Sequence, residues 1–189
     1  MSQIQIRQAM SVEIAALRAL QERSMRVLSR HSYTATQIDT FIARIGTMDD
    51  YLVADRTYLV AELDAELLGC GGWTTRLPGY ARRAVGEAHT PDPNRATIRS
   101  VFVNPIAARQ GIGRRIMGAI ETFLRSNSFR DAELSATDNS RAFYRSLGYR
   151  PLGVFQVDVG DGVSLRLTRM RKSLLQAGSD GPNPSSIPA

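Results

Sequence analysis

The sequence predicts an α/β fold in which a mixed sheet carries helices on both faces. Three observations lead to this prediction. Segments with strand alternation and segments with helical periodicity follow one another in the order β-α-α-β-β-β-α-β-α-β-β. Two pairs of neighbouring strands are joined by short turns, as in antiparallel hairpins. The 189 residues, 43% of them hydrophobic, suffice for a single domain with a substantial core, which we place at 1–175.

The N-terminal part is predicted to form a strand and two helices. Residues 4–7 alternate apolar and polar side chains, as a half-buried strand does. Ser11 is the expected N-cap of the first helix and Thr36 that of the second, which Gly46 would end. The apolar stripes comprise Ile14, Leu17, Leu20 and Leu28 in the first helix and Ile38, Phe41, Ile42 and Ile45 in the second.

The middle of the chain is predicted to form a hairpin, a long loop and a buried strand. Residues 58–62 and 67–75 have the pattern of two strands around a tight turn. Residues 77–95 lack periodicity and contain three prolines, which predicts a loop that is either functional or mobile. Residues 97–103 then form a strand that Pro105 ends.

The C-terminal part begins with a helix at Gly111, whose apolar stripe comprises Ile112, Ile116, Ile120, Phe123 and Leu124. The elements expected after it are a strand at 132–136, a helix from Asn139 through Leu147 that Gly148 ends, and a hairpin of strands 154–158 and 163–168. Residues 176–189 have little apolar content, and we expect a disordered tail there.

Composition excludes several classes of protein. Cys70 is the single cysteine, lies in an apolar run and is expected to be a small buried residue, so no disulfide framework exists. With only two histidines, no metal site is expected. The chain has no apolar run long enough to cross a bilayer and no signal peptide at its start, which predicts a cytoplasmic protein without membrane association. The net charge of +6 comes from scattered residues, and we expect no nucleic-acid partner.

Two glycines at the start of the third predicted long helix indicate an anion site. The first N–H groups of a helix lack intrahelical partners and attract phosphate, and glycine lets the main chain approach it closely. Gly111 and Gly113 occupy such a junction, and Arg109, Arg114 and Arg115 add positive charge. The G-x-G-x-x-G pattern of nicotinamide-binding folds fails because residue 116 is isoleucine, and no P-loop lysine follows.

A strand, Asn104-Pro105, the sequence ARQGIG (108–113) and an amphipathic helix resemble the cofactor motif of the GCN5-related N-acetyltransferase (GNAT) family. TDNSRAFYRSLGY (137–149) resembles that family's second motif, and the resemblance extends over about residues 4–172. It implies a mostly antiparallel sheet of six to seven strands and acetyl transfer from acetyl-CoA to a primary amine. The family's first loop position is usually Gln or Arg, but it is Ala108 here, which implies weakened rather than abolished cofactor binding.

The resemblance also implies the site residues. On the strand, main-chain groups of residues 101–103 would pair with the pantetheine arm, and the loop would bind the pyrophosphate through backbone amides. Asn139 would contact pantetheine, cap its helix, or both. Tyr144 would be catalytic and bind the cofactor, either by hydrogen-bonding the departing thiol or as part of a shuttle that takes the amine's proton. The implied cofactor-binding residues are Val101, Phe102, Val103, Arg109, Gln110, Gly111, Ile112, Gly113, Arg114, Asn139 and Tyr144.

The identity of the general base stays undecided, because residues 95–103 lack the carboxylate that some relatives carry on this strand. The candidates are Glu87, His89, Asp92 and a water chain. Family substrates usually lie near the first two helices, where the candidate residues are Ser24, Arg26, His31 and Tyr33.

Two other functions stay open beside the enzyme. One is a non-catalytic acyl-CoA-binding or sensor module, and the other is a nucleic-acid binder with steeply salt-dependent affinity. The acceptor and the acyl group are undetermined, and the resemblance allows a homodimer.

Overall fold

The computed structural model of the protein describes residues 3–76 and 94–175. The strands are β1 Gln5–Gln8, β2 Tyr58–Leu63, β3 Glu66–Thr74, β4 Arg95–Val103, β5 Asp131–Thr137, β6 Arg150–Gly160 and β7 Val163–Ser173. The helices are α1 Ile14–Leu28, α2 Ala35–Arg44, α3 Tyr51–Ala54, α4 Ile112–Ser126 and α5 Arg141–Ser146, with 3-10 turns at Ser11–Glu13 and Pro105–Ala107. The predicted loop, apart from residues 94 and 95, and the predicted tail lie outside the described residues.

The seven strands form one mixed sheet in the order β1-β2-β3-β4-β5-β7-β6. Every neighbouring pair is antiparallel except β4 and β5, which run parallel. This confirms the mostly antiparallel sheet. The parallel pairing covers only three residues of each strand and ends at Thr97 and Glu133. Beyond that point no strand of the described residues pairs with the side of β4 that faces β5, and a gap opens in the sheet.

Helices cover both faces of the sheet, as predicted, and the glycines of β3 set how closely one of them packs. A Cβ on Gly69 would lie 2.9 Å from Ile112 Cγ2, and one on Gly71 would lie 3.0 Å from Ile116 Cγ2, so any side chain there would force α4 away. Cys70, between the two glycines, faces the opposite side, where its Sγ is 3.8 Å from Gln21 Nε2 of α1. Cys70 is fully buried, which confirms its expected packing role.

Three predicted helix caps are wrong, because each helix begins after a different residue. Thr34, not Thr36, caps α2: its Oγ1 accepts the N–H of Gln37, whose Oε1 accepts the N–H of Thr34. This reciprocal pair satisfies two helix-end donors at once. Ser11 lies inside a 3-10 turn that precedes α1. Ser140 precedes α5, and Asn139 instead donates from Nδ2 to the carbonyl of Leu28 at 3.2 Å.

The remaining differences from prediction concern extents and exposure. Short α3 has no counterpart in the predicted order, and the strands of the last hairpin are longer than predicted. Phe123, placed in the buried stripe of α4, is 44% exposed and packs its ring 4.6 Å from that of Trp73. The predicted stops at Gly46 and Gly148 are confirmed, since each follows the C-cap residue of its helix with a left-handed φ, +80° and +90°. In the two described stretches of chain, no helix has the length and apolar character needed to cross a bilayer.

Candidate functional site

A cleft of about 1020 Å³ opens where β4 and β5 separate. One wall is β4 itself, from Arg99 to Val103, and the opposite wall includes α5. One end reaches the loop that precedes α4, and the other reaches α1 and the segment 46–49 between α2 and α3. The gap in the sheet therefore joins the predicted anion loop to the region where an acceptor was expected.

The loop before α4 has the backbone geometry of an anion site. Arg109 and Gly111 both have left-handed backbones, with φ values of +66° and +82°. Gly111 is the N-cap residue of α4, and no side chain caps that helix end. A Cβ on Gly111 would meet no atom within 4 Å, so the space above its backbone is open. Uncapped N–H groups at the start of a 15-residue helix attract an anion into that space.

Glycine is needed at position 113 for a different reason than at position 111. A Cβ on Gly113 would lie 3.1 Å from Phe143 Cζ and 3.6 Å from Val103 Cγ2. Gly113 therefore allows α5 to pack closely against the first turn of α4. This contact holds the two predicted motifs together, and sequence spacing alone gave no sign of it.

An extra residue in β4 shapes the wall of the cleft. Cys70 pairs with Phe102 but Gly72 pairs with Arg99, so two residues of β4 oppose Gly71. Ser100 at this bulge has a φ of +51°, unusual for a residue with a side chain.

The bulge is held in place by two hydrogen bonds. The Tyr58 hydroxyl donates to the carbonyl of Ser100 at 2.7 Å, and Ser100 Oγ donates to the carbonyl of Thr47 at 2.8 Å. Gln21 Nε2 donates to the Tyr58 hydroxyl at 2.7 Å and thereby links α1 to this network. No sequence pattern indicated the bulge, since its residues are ordinary strand formers.

Tyr144 lies on the wall of the cleft and is only 7% exposed. Its ring centroid is 5.1 Å from that of Phe143 and 5.9 Å from that of Tyr149. Burial raises the pKa of the Tyr144 phenol above its ordinary value of 10, and no charged neighbour opposes the shift. The hydroxyl therefore stays protonated at neutral pH and can act as a hydrogen-bond donor.

The cleft brings together most of the residues expected at the site. The expected residues that line it are Val101, Phe102, Val103, Arg109, Gly111, Ile112, Gly113, Arg114, Asn139 and Tyr144. The exposed side chain of Gln110 instead donates to the carbonyl of Ile106 at 3.2 Å. The candidate bases Glu87, His89 and Asp92 lie outside the described residues.

Of the four residues considered for the acceptor, only Ser24 lines the cleft. Arg26 forms an exposed ion pair with Asp39, and His31 is also exposed. Tyr33 is buried, and its hydroxyl donates to the carbonyl of Arg166 at 2.6 Å. Tyr33 therefore fixes the C-terminal hairpin against the helices.

Three charged residues that sequence reasoning missed line the acceptor end, namely Asp49, Arg99 and Arg44, of which Arg44 pairs with Asp161. Arg99 Nη2 of β4 lies 2.8 Å from Asp49 Oδ2, and the two side chains are 13% and 28% exposed. Asp49 precedes α3, which the sequence pattern did not predict, so nothing indicated that it faces β4. Cys70 is absent from the cleft wall, and burial raises the pKa of its thiol to about 11.

Comparison with known proteins identifies the family. Residues 15–149 match the model of the acetyltransferase (GNAT) family, and the chain belongs to that family. None of the curated proteins matches the chain.

Several solved structures share the fold. A GCN5-related N-acetyltransferase from Rhodopseudomonas palustris is similar at 20% identity, with a TM-score of 0.70 over 92% of this chain and 97% of that one. The PaiA N-acetyltransferase from Thermoplasma acidophilum, in complex with coenzyme A, is similar at 15% identity and a TM-score of 0.65, over 90% and 99% of the two chains. YncA from Salmonella typhimurium, solved with its cofactor acetyl-CoA, is similar at 19% identity and a TM-score of 0.59, over 96% and 100%.

Proposed function

We propose that the protein is an acetyl-CoA-dependent N-acetyltransferase that transfers an acetyl group to a primary amine by direct attack on the thioester. The observation that carries this proposal is one continuous cleft. It runs from the left-handed loop at 109–111, along the side of β4 that pairs with no strand of the described residues, to the buried phenol of Tyr144. Family membership and the two similar structures named with coenzyme A or acetyl-CoA support the same cofactor.

The residues of the cleft fit acetyl-CoA at each part of the molecule. Open space above Gly111 admits a pyrophosphate to the uncapped amides of α4, and Arg109 and Arg114 add positive charge beside it. The exposed edge of β4 at 101–103 offers main-chain groups to the amides of a pantetheine arm. Asn139 lies just before α5, across the cleft from β4, and its bond to Leu28 uses Nδ2 rather than Oδ1.

Acetyl transfer requires a neutral amine and a stabilised thiolate. Bound acetyl-CoA supplies an acetyl group activated as a thioester. An ordinary phenol, with a pKa of about 10, is already a weaker acid than a thiol of about 8.5, and burial raises the Tyr144 pKa further. Tyr144 therefore acts by hydrogen-bonding the sulfur rather than by giving up its proton completely. The base that deprotonates the amine remains one of Glu87, His89, Asp92 or water.

One observation favours a second function, a non-catalytic acyl-CoA-binding module. No residue of β4 is a carboxylate, so this strand offers no general base. Such a module would bind acetyl-CoA and turn over no amine. The cytoplasmic location and the single domain at 1–175 belong to the proposal in either case.

Thermal unfolding followed by an amine screen tests the proposal. Acetyl-CoA at 100 times its Kd should stabilise the folded state by about 2.7 kcal/mol, a shift of several degrees for a domain of this size. Gly111→Asp, which introduces a negative charge at the loop, should unfold cooperatively and lose this shift. Release of free thiol with a panel of primary amines then separates the enzyme from the binding module. A wild-type protein that shows no shift would refute both functions.

A further inference from the structure

We infer that Asp49 forms the acceptor subsite, where its carboxylate binds the ammonium group of a primary amine that carries an apolar body. This inference rests on the proposed acetyl transfer and adds the substrate class. Asp49 lines the cleft beside Arg99 on β4. Arg99 lies four residues before Val103, roughly 13 Å along the strand at about 3.3 Å per residue. Asp49 therefore lies beside the middle of β4, at the opposite end of the cleft-lining residues 99–103 from the anion loop.

The Asp49 carboxylate and the loop arginines lie at different ends of the cleft, and Asp49 shares its end with Arg99, its ion-pair partner, and with Arg44, which pairs with Asp161 instead. Among the lining residues of 3–76 and 94–175, Asp49 is the only one with a carboxylate. Arg109 and Arg114 lie at the loop end, where the proposed cofactor places its phosphates. A cationic acceptor would be repelled from the loop end and attracted to Asp49.

Within the described residues, the ion pair and the hydrogen bond of the Asp49 side chain both involve Oδ2. Arg99 Nη2 lies 2.8 Å from Oδ2, and the hydroxyl of Tyr51 donates to the same oxygen at 3.3 Å. Neither contact uses Oδ1, and the side chain keeps 28% of its surface exposed. Oδ1 can therefore accept a hydrogen bond from an ammonium while Oδ2 stays anchored.

The segment that carries Asp49 is fixed at both sides. The Thr47 carbonyl accepts the hydrogen bond from Ser100 Oγ, and the Asp49 carbonyl accepts the N–H of Leu52 at 3.0 Å. Since the backbone is held before the acceptor arrives, little ordering opposes binding. The Ser100 bulge thus positions both the cleft wall and the carboxylate.

Apolar side chains surround this end of the cleft. The lining residues near Asp49 from α1, α2 and the following segment include Met25, Phe41, Ile45 and Met48. They favour an acceptor whose amine is attached to an aromatic or aliphatic body. An ammonium bound to a carboxylate must still lose its proton before attack, so Asp49 acts in binding and its loss should appear in KM rather than kcat.

Steady-state kinetics with phenethylamine test the inference. Asp49→Asn keeps the shape of the side chain and an acceptor oxygen for Arg99, but removes the charge. It should raise KM about 10- to 100-fold, the worth of one charge-assisted hydrogen bond, with kcat and acetyl-CoA affinity nearly unchanged. The matched control is Asp50→Asn, because Asp50 is the adjacent carboxylate, pairs with Arg18 at 2.6 Å and is absent from the cleft wall. It should leave KM unchanged.

A measurement on the wild type keeps the inference testable if Asp49→Asn unfolds. 2-Phenylethanol is the uncharged analogue of the amine. Its inhibition constant should be at least about 10-fold higher than the dissociation constant of phenethylamine. Equal affinities, or equal KM values for Asp49→Asn and Asp50→Asn, would overturn the inference and leave the acetyltransferase proposal standing. A wild type that binds acetyl-CoA but acetylates no amine would overturn both.

Discussion

Replacing Gly111 by alanine separates the strain of a left-handed backbone from the loss of an anion site. Gly111 has a φ of +82°, and a methyl group on it would meet no protein atom within 4 Å. Gly162, in the turn between β6 and β7, has a φ of +71° and equally open surroundings. Gly162 is absent from the cleft wall, so Gly162→Ala introduces the same strain without touching the proposed site.

The magnitudes follow from these surroundings. A side chain in the left-handed region costs about 1–2 kcal/mol, and no steric clash adds to that at either position. For a domain of this size each kcal/mol lowers Tm by about 2–4 °C, so both variants should melt about 2–8 °C below wild type. Only Gly111→Ala puts a methyl group where the pyrophosphate approaches the loop amides. Loss of one charge-assisted hydrogen bond there should raise the acetyl-CoA Kd about 10-fold or more.

Calorimetry provides both readouts. Differential scanning measures Tm for the two variants without ligand, and isothermal titration at a temperature where both are folded measures acetyl-CoA affinity. Equal stability losses with weakened binding in Gly111→Ala alone are the expected result. Wild-type affinity in a folded Gly111→Ala would refute the assignment of this loop as the pyrophosphate site.

Three further predictions test other parts of the structure. Tyr144→Phe should lower kcat about 10- to 100-fold, because it removes the proposed hydrogen bond to the departing sulfur. The control is Tyr149→Phe, which changes a buried tyrosine that does not line the cleft and should leave kcat unchanged. Equal losses of kcat in the two variants would contradict a catalytic role of Tyr144. Gly118→Ala should raise the free energy of unfolding by about 0.5–1 kcal/mol in chemical denaturation, because alanine favours a helix interior over glycine. Gly118 is exposed in the middle of α4, and a Cβ there meets no atom within 4 Å. A lower free energy of unfolding would contradict this open environment. Burial raises the Cys70 pKa from 9.0 to about 11, so the folded thiol keeps its proton where the unfolded one has lost it, and stability falls as pH rises from about 9 to 11. Over that range the unfolding free energy of wild type should fall by about 2 kcal/mol more than that of Cys70→Ala, and parallel pH curves would count against the shifted thiol.

Local signals account for the parts of the fold that were predicted correctly. The alternation in β2 and β3, and the 3.6-residue periodicity of α4, depend only on which side chains face the core. Caps were less predictable, since Thr34 and Thr36 have the same capping chemistry. Thr34 is the N-cap because Gln37 completes a reciprocal pair with it, and no comparable pair forms at Thr36.

The candidate site also has features that local sequence predicted and features that it did not. The loop around Gly111 could be found because a glycine-rich strand-to-helix junction is contiguous in sequence. The bulge at Ser100 could not, because it depends on the Tyr58 hydroxyl, 42 residues away, and on the carbonyl of Thr47. Asp49 was missed for a related reason: its partner Arg99 belongs to a strand 50 residues later.

The sequence by itself determined the seven strands, every described helix except α3 and their order, the family motifs, and the glycines that the loop at 109–113 requires. These features follow from periodicity and from backbone conformations that few residues allow. Only the tertiary structure decided where β4 and β5 separate, how closely Phe143 packs against Gly113, and which carboxylate faces the cleft. Those features depend on side chains brought together from distant parts of the chain, because the packing of the whole sheet sets their distances and local propensity does not.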